Sequence, residues 1–192
     1  MALGRTGRSV GLFIVLLGLL EGLYLLTSQS EAVVIFARTT AHLTAMTLSV
    51  LGEAVRVEGV SLYSPLLNMR IVSECTAIIP TMVFVAAVLA FPSSVSVKLK
   101  GLLLGIVALY VINLVRVVSL YYIGTHAPDQ MEFAHIVVWQ AVMVLIAIGL
   151  WSLWAARYSE LRSASDLIST CDPGPAVGNH RFHRLVPCCQ LV

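Results

Sequence analysis

The segment Leu102–Tyr122 holds twenty-one residues with one formal charge, Arg116, in its midst. At about 1.5 Å of helical rise per residue, such a run matches the roughly 30 Å hydrocarbon thickness of a bilayer. Hydrocarbon offers no hydrogen bonds, so a chain carrying such a run must satisfy its backbone inside helices or a closed barrel. Three further runs read as spans: Val10–Leu26, interrupted by Glu21, then Thr76–Phe91 and His135–Ala156. The expected fold is an all-α polytopic membrane protein with about four transmembrane helices. Composition agrees, because a chain 58% hydrophobic and 11% charged lacks the polar surface to cover a water-soluble domain. The first run follows Arg5 and Arg8 and has only a weak cleavage-like segment after it, Thr27–Ser30. It therefore reads as a retained anchor.

Orientation follows from the cations. Arg5 and Arg8 precede the first span, Lys98 and Lys100 separate the second from the third, and Arg157 and Arg162 follow the fourth. Alternating spans put all of these on one side, which the positive-inside rule makes the cytoplasm. Thr27–Glu74 and Gly124–Ala134 then face outside. A net charge of +2 is too small to suggest a nucleic-acid partner. The bilayer itself is the first expected partner.

Glu31–Leu51 admits two readings. Its apolar residues recur at rough helical spacing, but Arg38 near the centre of a span would be costly. This favours an interfacial helix on the outer leaflet. If the segment crossed instead, Val55–Ser73 would fall in the cytoplasm unless another segment also crossed. Val55, Val57, Val60 and Leu62 then alternate around Gly59, which suggests a small β-hairpin.

Two units are expected, a membrane core over residues 1–158 and a flexible cytoplasmic tail over 159–192, which has Gly and Pro but no lasting periodicity. The tail carries His180, His183, Cys188 and Cys189, whose spacing fits no standard zinc pattern, so no metal and no cofactor is expected. No Cys-x-x-Cys occurs, which disfavours thiol–disulfide chemistry.

Cys75 begins the second span, His135 begins the fourth, and Arg116 lies about six residues below the outer end of the third. The topology thus brings a thiol, an imidazole and a guanidinium to one depth near the outer face, Arg116 reaching up by snorkelling. These groups suit acyl transfer at a peptide bond. A thiolate attacks, a histidine moves the proton, and an arginine stabilises the developing oxyanion. Asn113, one turn before Arg116, would orient it or hold substrate backbone. Each residue also has a plain reading: Cys75 as a small apolar residue, His135 as an interfacial histidine. An intramembrane arginine is the one that by itself marks a functional site. His42 and His126 read as surface histidines, and Trp151, Trp154 and Tyr158 as an interfacial aromatic belt.

Glu74-Cys75-Thr76-Ala77 resembles the "ECTG" signature of the exosortase/archaeosortase family, with Ala77 where Gly is more usual. Asn113-Leu114-Val115-Arg116-Val117 is similar to that family's "NxxRV" motif, and His135 falls where its last histidine would. The resemblance spans about Ala37 to Val144 and is closest to compact exosortase H-like members. It implies a cysteine transpeptidase of the bacterial cytoplasmic membrane, with Cys75 as nucleophile and Arg116 and His135 as its partners. The substrates it implies are membrane-anchored proteins with a C-terminal sorting signal: a short motif, an apolar helix and a basic cluster. These would be passed to an acceptor. The alternative is a non-catalytic membrane scaffold or assembly subunit. Hydrolysis in place of transfer would use the same residues.

Overall fold

The computed structural model describes residues 2–170, and over them the chain is a mostly helical, polytopic membrane protein. Helix α1 (Ala2–Thr27) is joined by a short turn to α2 (Glu31–Val50). Three short strands follow, β1 (Arg56–Glu58), β2 (Ser61–Tyr63) and β3 (Asn68–Arg70). A 3-10 turn (Ser73–Thr76) leads into α3 (Ile78–Ala90), and α4 (Val95–His126) returns. The last leg is α5 (Pro128–Phe133), a π turn (Ala134–Val138) and α6 (Trp139–Thr170). Four helical stretches are long and apolar enough to cross a bilayer: Gly7–Thr27, Glu31–Val50, Val95–His126 and Pro128–Glu160.

This set differs from the expected one in two places. The span expected over Thr76–Phe91 is a helix of 13 residues, about 20 Å by rise and short of a full hydrocarbon core. Its start is displaced inward because the chain descends from β3 through the 3-10 turn before α3 begins. Its end is fixed where Phe91 turns extended before Pro92.

The second difference is α2, which stands upright instead of lying on the surface. Phe36 packs edge-on against Tyr110 of α4 at 5.4 Å, and Thr40 Oγ1 is 3.3 Å from the Tyr110 hydroxyl. Beyond its other end, Glu53 Oε2 lies 3.2 Å from the Tyr121 hydroxyl. The buried face of α2 is a stripe of small residues, Ala37, Thr40, Ala41, Thr44 and Ala45, closed by Leu48. Small side chains let two helices approach closely, and Arg38 sits on the opposite, exposed side.

Helix directions follow from the same contacts. Lys98 Nζ donates to the Leu89 carbonyl at 2.6 Å, and Asn113 meets Cys75, so α3 and α4 are antiparallel. Ser9, Val10 and Phe13 share a cleft with Ala90, Phe91 and Pro92, so α1 starts at the lysine end too. Helix α2 advances in the direction of α4, from Phe36 beside Tyr110 to Glu53 beside Tyr121. The chain thus goes up along α2, down along α3, up along α4 and down along α5–α6, leaving the sheet at the end opposite Lys98.

The expected hairpin is a three-stranded antiparallel sheet in the order β1-β2-β3. Glu58 pairs with Ser61 across a two-residue turn in which Gly59 has φ +63, a conformation cheap only for glycine. The third strand arises because Met69 and Ile71 alternate inward beside Leu62. These three side chains, the small face of α2, Cys75, Val117 and Tyr121 form one buried cluster. The Tyr121 hydroxyl, 3.0 Å from Ser64 Oγ, ties the sheet to α4.

At the lysine end, Phe91 is ringed edge-on by Trp151, Trp154 and Tyr158. Two glycines one turn apart on α4 admit the neighbouring helices. A Cβ on Gly101 would overlap the Trp154 indole, and one on Gly105 would overlap the Phe84 ring. Gly105→Val should therefore lower stability by about 1–3 kcal/mol through overpacking. Thermal unfolding in detergent checks this against Gly149→Ala, whose added carbon meets nothing within 4 Å and should leave the melting temperature almost unchanged.

The helix α6 continues past Tyr158 to Thr170, where a flexible tail was expected. His180, His183, Cys188 and Cys189 lie outside the described residues.

Candidate active site

Cys75 sits in the 3-10 turn Ser73–Thr76, its N–H bonded to the Val72 carbonyl at 2.9 Å. The next helix does not follow directly. Ala77 adopts φ 58 and ψ 16, the left-handed conformation, and only then does α3 begin. This single residue of opposite hand lets a tight turn present the thiol at the head of a helix. The thiol is buried, with Cys75 5% exposed.

Three side chains from two other elements converge on it. Asn113 of α4 donates through Nδ2 to the Cys75 carbonyl at 2.6 Å. His135 Nδ1 is 4.0 Å from Cys75 Sγ. Arg116, one turn beyond Asn113, donates through Nη2 to the His135 carbonyl at 3.5 Å. Asn113 and Arg116 are 0% and 1% exposed, so a polar amide and a full charge lie inside the bundle. Burying such groups is costly unless they are engaged.

His135 owes its placement to an irregularity. Ala134–Val138 is a π turn inside an otherwise α-helical leg. A π turn carries one more residue per hydrogen-bonded ring than an α turn, and so re-aims the side chains that follow. Such insertions recur at functional sites.

The structure thus brings Cys75, Asn113, Arg116 and His135 together, with two changes from the expected arrangement. Depth is the first. α4 continues to His126, so Arg116 lies well within it, and its guanidinium turns into the bundle without snorkelling to the end. Asn113 is the second, since its amide holds the backbone carbonyl of Cys75. His42 and His126 are exposed and take no part. Among the described residues no cluster of three or more His, Cys, Asp or Glu is arranged to hold a metal.

The sequence model of transmembrane exosortases matches residues 1–152 of the 192. The chain belongs to the transmembrane exosortase family. No curated protein and no solved structure matches it. The matched stretch takes in α1, α2, the sheet and all four converging residues.

Among the described residues Ala77 alone of the non-glycines has a positive φ. A Cβ in left-handed backbone costs roughly 1–2 kcal/mol, which glycine would avoid. Ala77 is, however, buried beside Phe84 and Leu109, where its methyl returns about 0.8 kcal/mol. Ala77→Gly should therefore melt close to the parent protein and keep its activity. Ala77→Val puts a β-branched residue into the same conformation. It should lower stability by more than about 2 kcal/mol and displace the thiol, read as a lower melting temperature together with lost processing.

Proposed function

We propose that the protein is a membrane-embedded cysteine transpeptidase in which Cys75 is the nucleophile, His135 the proton carrier, Arg116 the electrostatic anchor and Asn113 a positioning residue. The observation that carries the reading is the 4.0 Å approach of Cys75 Sγ to His135 Nδ1, with both backbones pinned from α4 by Asn113 and Arg116. A resting thiol–imidazole pair is often this long and tightens with substrate bound.

The chemistry runs as two acyl transfers. His135 takes the thiol proton, and the sulfur attacks the scissile carbonyl carbon. The resulting oxyanion gains from the neighbouring guanidinium in a site of low dielectric, where such stabilisation is strongest. Collapse breaks the C–N bond, and His135 gives its proton to the departing amine. The thioester left on Cys75 is then opened by an acceptor nucleophile, whose proton returns through His135 as the thiol is restored.

Asn113 stands fifteen residues along α4 from Lys98, about 22 Å by helical rise. With Lys98, Lys100 and Arg157 on the cytoplasmic side, this depth puts the thiol in the outer part of the bilayer, beneath the sheet. The protein then works in the bacterial cytoplasmic membrane with its site toward the outer side. A site at that depth suits a substrate held by its own membrane helix, with the scissile bond just above it. Exported proteins ending in a short motif, an apolar helix and a basic cluster meet that description.

The test is capture of the intermediate. Membranes containing the protein and a sorting-signal substrate should yield an adduct of the two that neutral hydroxylamine releases, as it does thioesters. His135→Ala should slow its formation on the order of 10²–10⁴-fold. An adduct that survives hydroxylamine, or substrate cleaved with no adduct at any time, overturns the reading.

A further inference from the structure

Helix α2 carries four threonines. Three of them return the hydroxyl to the carbonyl one turn back: Thr39 to Ile35 at 2.9 Å, Thr40 to Phe36 at 3.0 Å and Thr47 to Leu43 at 2.9 Å. Thr44 does not. It is 0% exposed, and its Oγ1 has no hydrogen-bond partner among the described residues. A buried hydroxyl without a bond is destabilising, and valine, of the same shape, would avoid the penalty. Packing alone therefore gives no reason for a threonine here.

Its surroundings point to a reason. Ala41, Ala45 and Leu48, its neighbours on the buried face of α2, belong with Cys75 to one buried cluster. Thr40, one turn before Thr44, lies beside Tyr110, and Asn113 is one turn beyond Tyr110. Because α2 and α4 run in the same direction, Thr44 stands at the level of Asn113. Asn113 holds the Cys75 carbonyl through Nδ2, but its own Oδ1 is buried with no partner among the described residues. Two such atoms, one able to donate and one only to accept, thus sit at one height beside the Cys75 turn. A buried water, which makes about two to four hydrogen bonds, joins polar atoms that do not meet directly. Alanine at 41 and 45 leaves space for it, having no side chain beyond Cβ.

We propose that Thr44 is a positioning residue of the active site, joined to Asn113 Oδ1 through one buried water. Held at both ends, the Asn113 amide becomes a strut that sets the Cys75 turn against α4. The bond at Oδ1 also polarises the amide and strengthens the bond at Nδ2. In this role Thr44 acts through Asn113. Its effect on processing rests on Cys75 being the nucleophile, whereas its effect on the turn does not.

The test compares Thr44→Val, which keeps the shape and removes the hydroxyl, with Thr44→Ser, which keeps the hydroxyl. Two rates are read for each: processing of a sorting-signal substrate, and alkylation of Cys75 by N-ethylmaleimide without substrate. For the second, the full chain carries Cys171→Ser, Cys188→Ser and Cys189→Ser, which leaves Cys75 as its only thiol. Thr44→Val should lower kcat about tenfold at unchanged KM, since small displacements of a reacting group are costly. Its looser turn should alkylate severalfold faster. Thr44→Ser should keep both rates near the parent values. Thr44→Val should add almost nothing to Asn113→Ala, because losses within one unit do not multiply. An idle hydroxyl predicts the reverse: Thr44→Val would melt higher and leave both rates unchanged. That result overturns the proposal, as does a loss that Thr44→Ser shares or one that multiplies with Asn113→Ala. Alkylation that responds as expected in a protein that processes nothing would keep the strut and remove the reaction assigned to Cys75.

Discussion

Cys75→Ala should abolish processing of a sorting-signal substrate, by at least about 10⁴-fold, while the protein accumulates in the membrane at its usual level. The fold should tolerate the change because it removes one sulfur atom from a buried position. The contact that pins this turn survives, since Asn113 binds the Cys75 carbonyl and not its side chain. Cys75→Ser should be nearly as inactive. A hydroxyl is a far weaker nucleophile than a thiol without a strong base. Its shorter bond to Cβ also draws it back from an imidazole already 4.0 Å from sulfur. Uncleaved substrate is quantified in cells expressing each variant at matched levels. Processing at the parent rate by Cys75→Ala would remove the transpeptidase reading and leave the scaffold alternative standing.

The parts of this molecule legible in its sequence are those that depend on period and charge. Leu102–Tyr122 could hardly be anything but a span, and it lies within α4. Asn113 and Arg116 share a face because three residues make nearly one helical turn, and both are buried where α4 meets the site. What escaped is irregular backbone. The left-handed Ala77 breaks no hydrophobic pattern, and the sign of its φ is invisible in the residue itself, since alanine rarely takes that conformation. The one available signal was comparative, an alanine where the family's motif has glycine. The π turn at Ala134–Val138 leaves no mark in an apolar run such as Ala-His-Ile-Val-Val.

The upright α2 was hidden for a different reason. Arg38 dominates a reading based on the cost of charge, whereas the structure is decided by the Ala-Thr-Ala stripe on the other side. The dominant signal concerned how the segment meets lipid, and the deciding one how it meets α4. The same stripe explains why Cys75, the sheet and α4 share one core cluster. A helix with large residues there could not let the 3-10 turn settle beside Asn113.

Arg116→Lys should cut processing on the order of 10²–10³-fold although it keeps the positive charge. The guanidinium is planar and carries five donors, so one edge can hold the His135 carbonyl while another faces developing charge. An ammonium on a flexible stem can serve one of these tasks at a time. If Arg116 acts partly through His135, the two residues form a unit, and losses within a unit do not multiply. The measurement is therefore a cycle: Arg116→Lys, His135→Ala and the double variant, each assayed for rate on the same substrate with melting temperatures recorded. The double variant should be hardly slower than the worse single one, and Arg116→Lys alone should fold and insert normally. Rate losses that multiply across the cycle would mean that Arg116 acts independently of His135, and its contact with the His135 carbonyl would then be incidental to the chemistry.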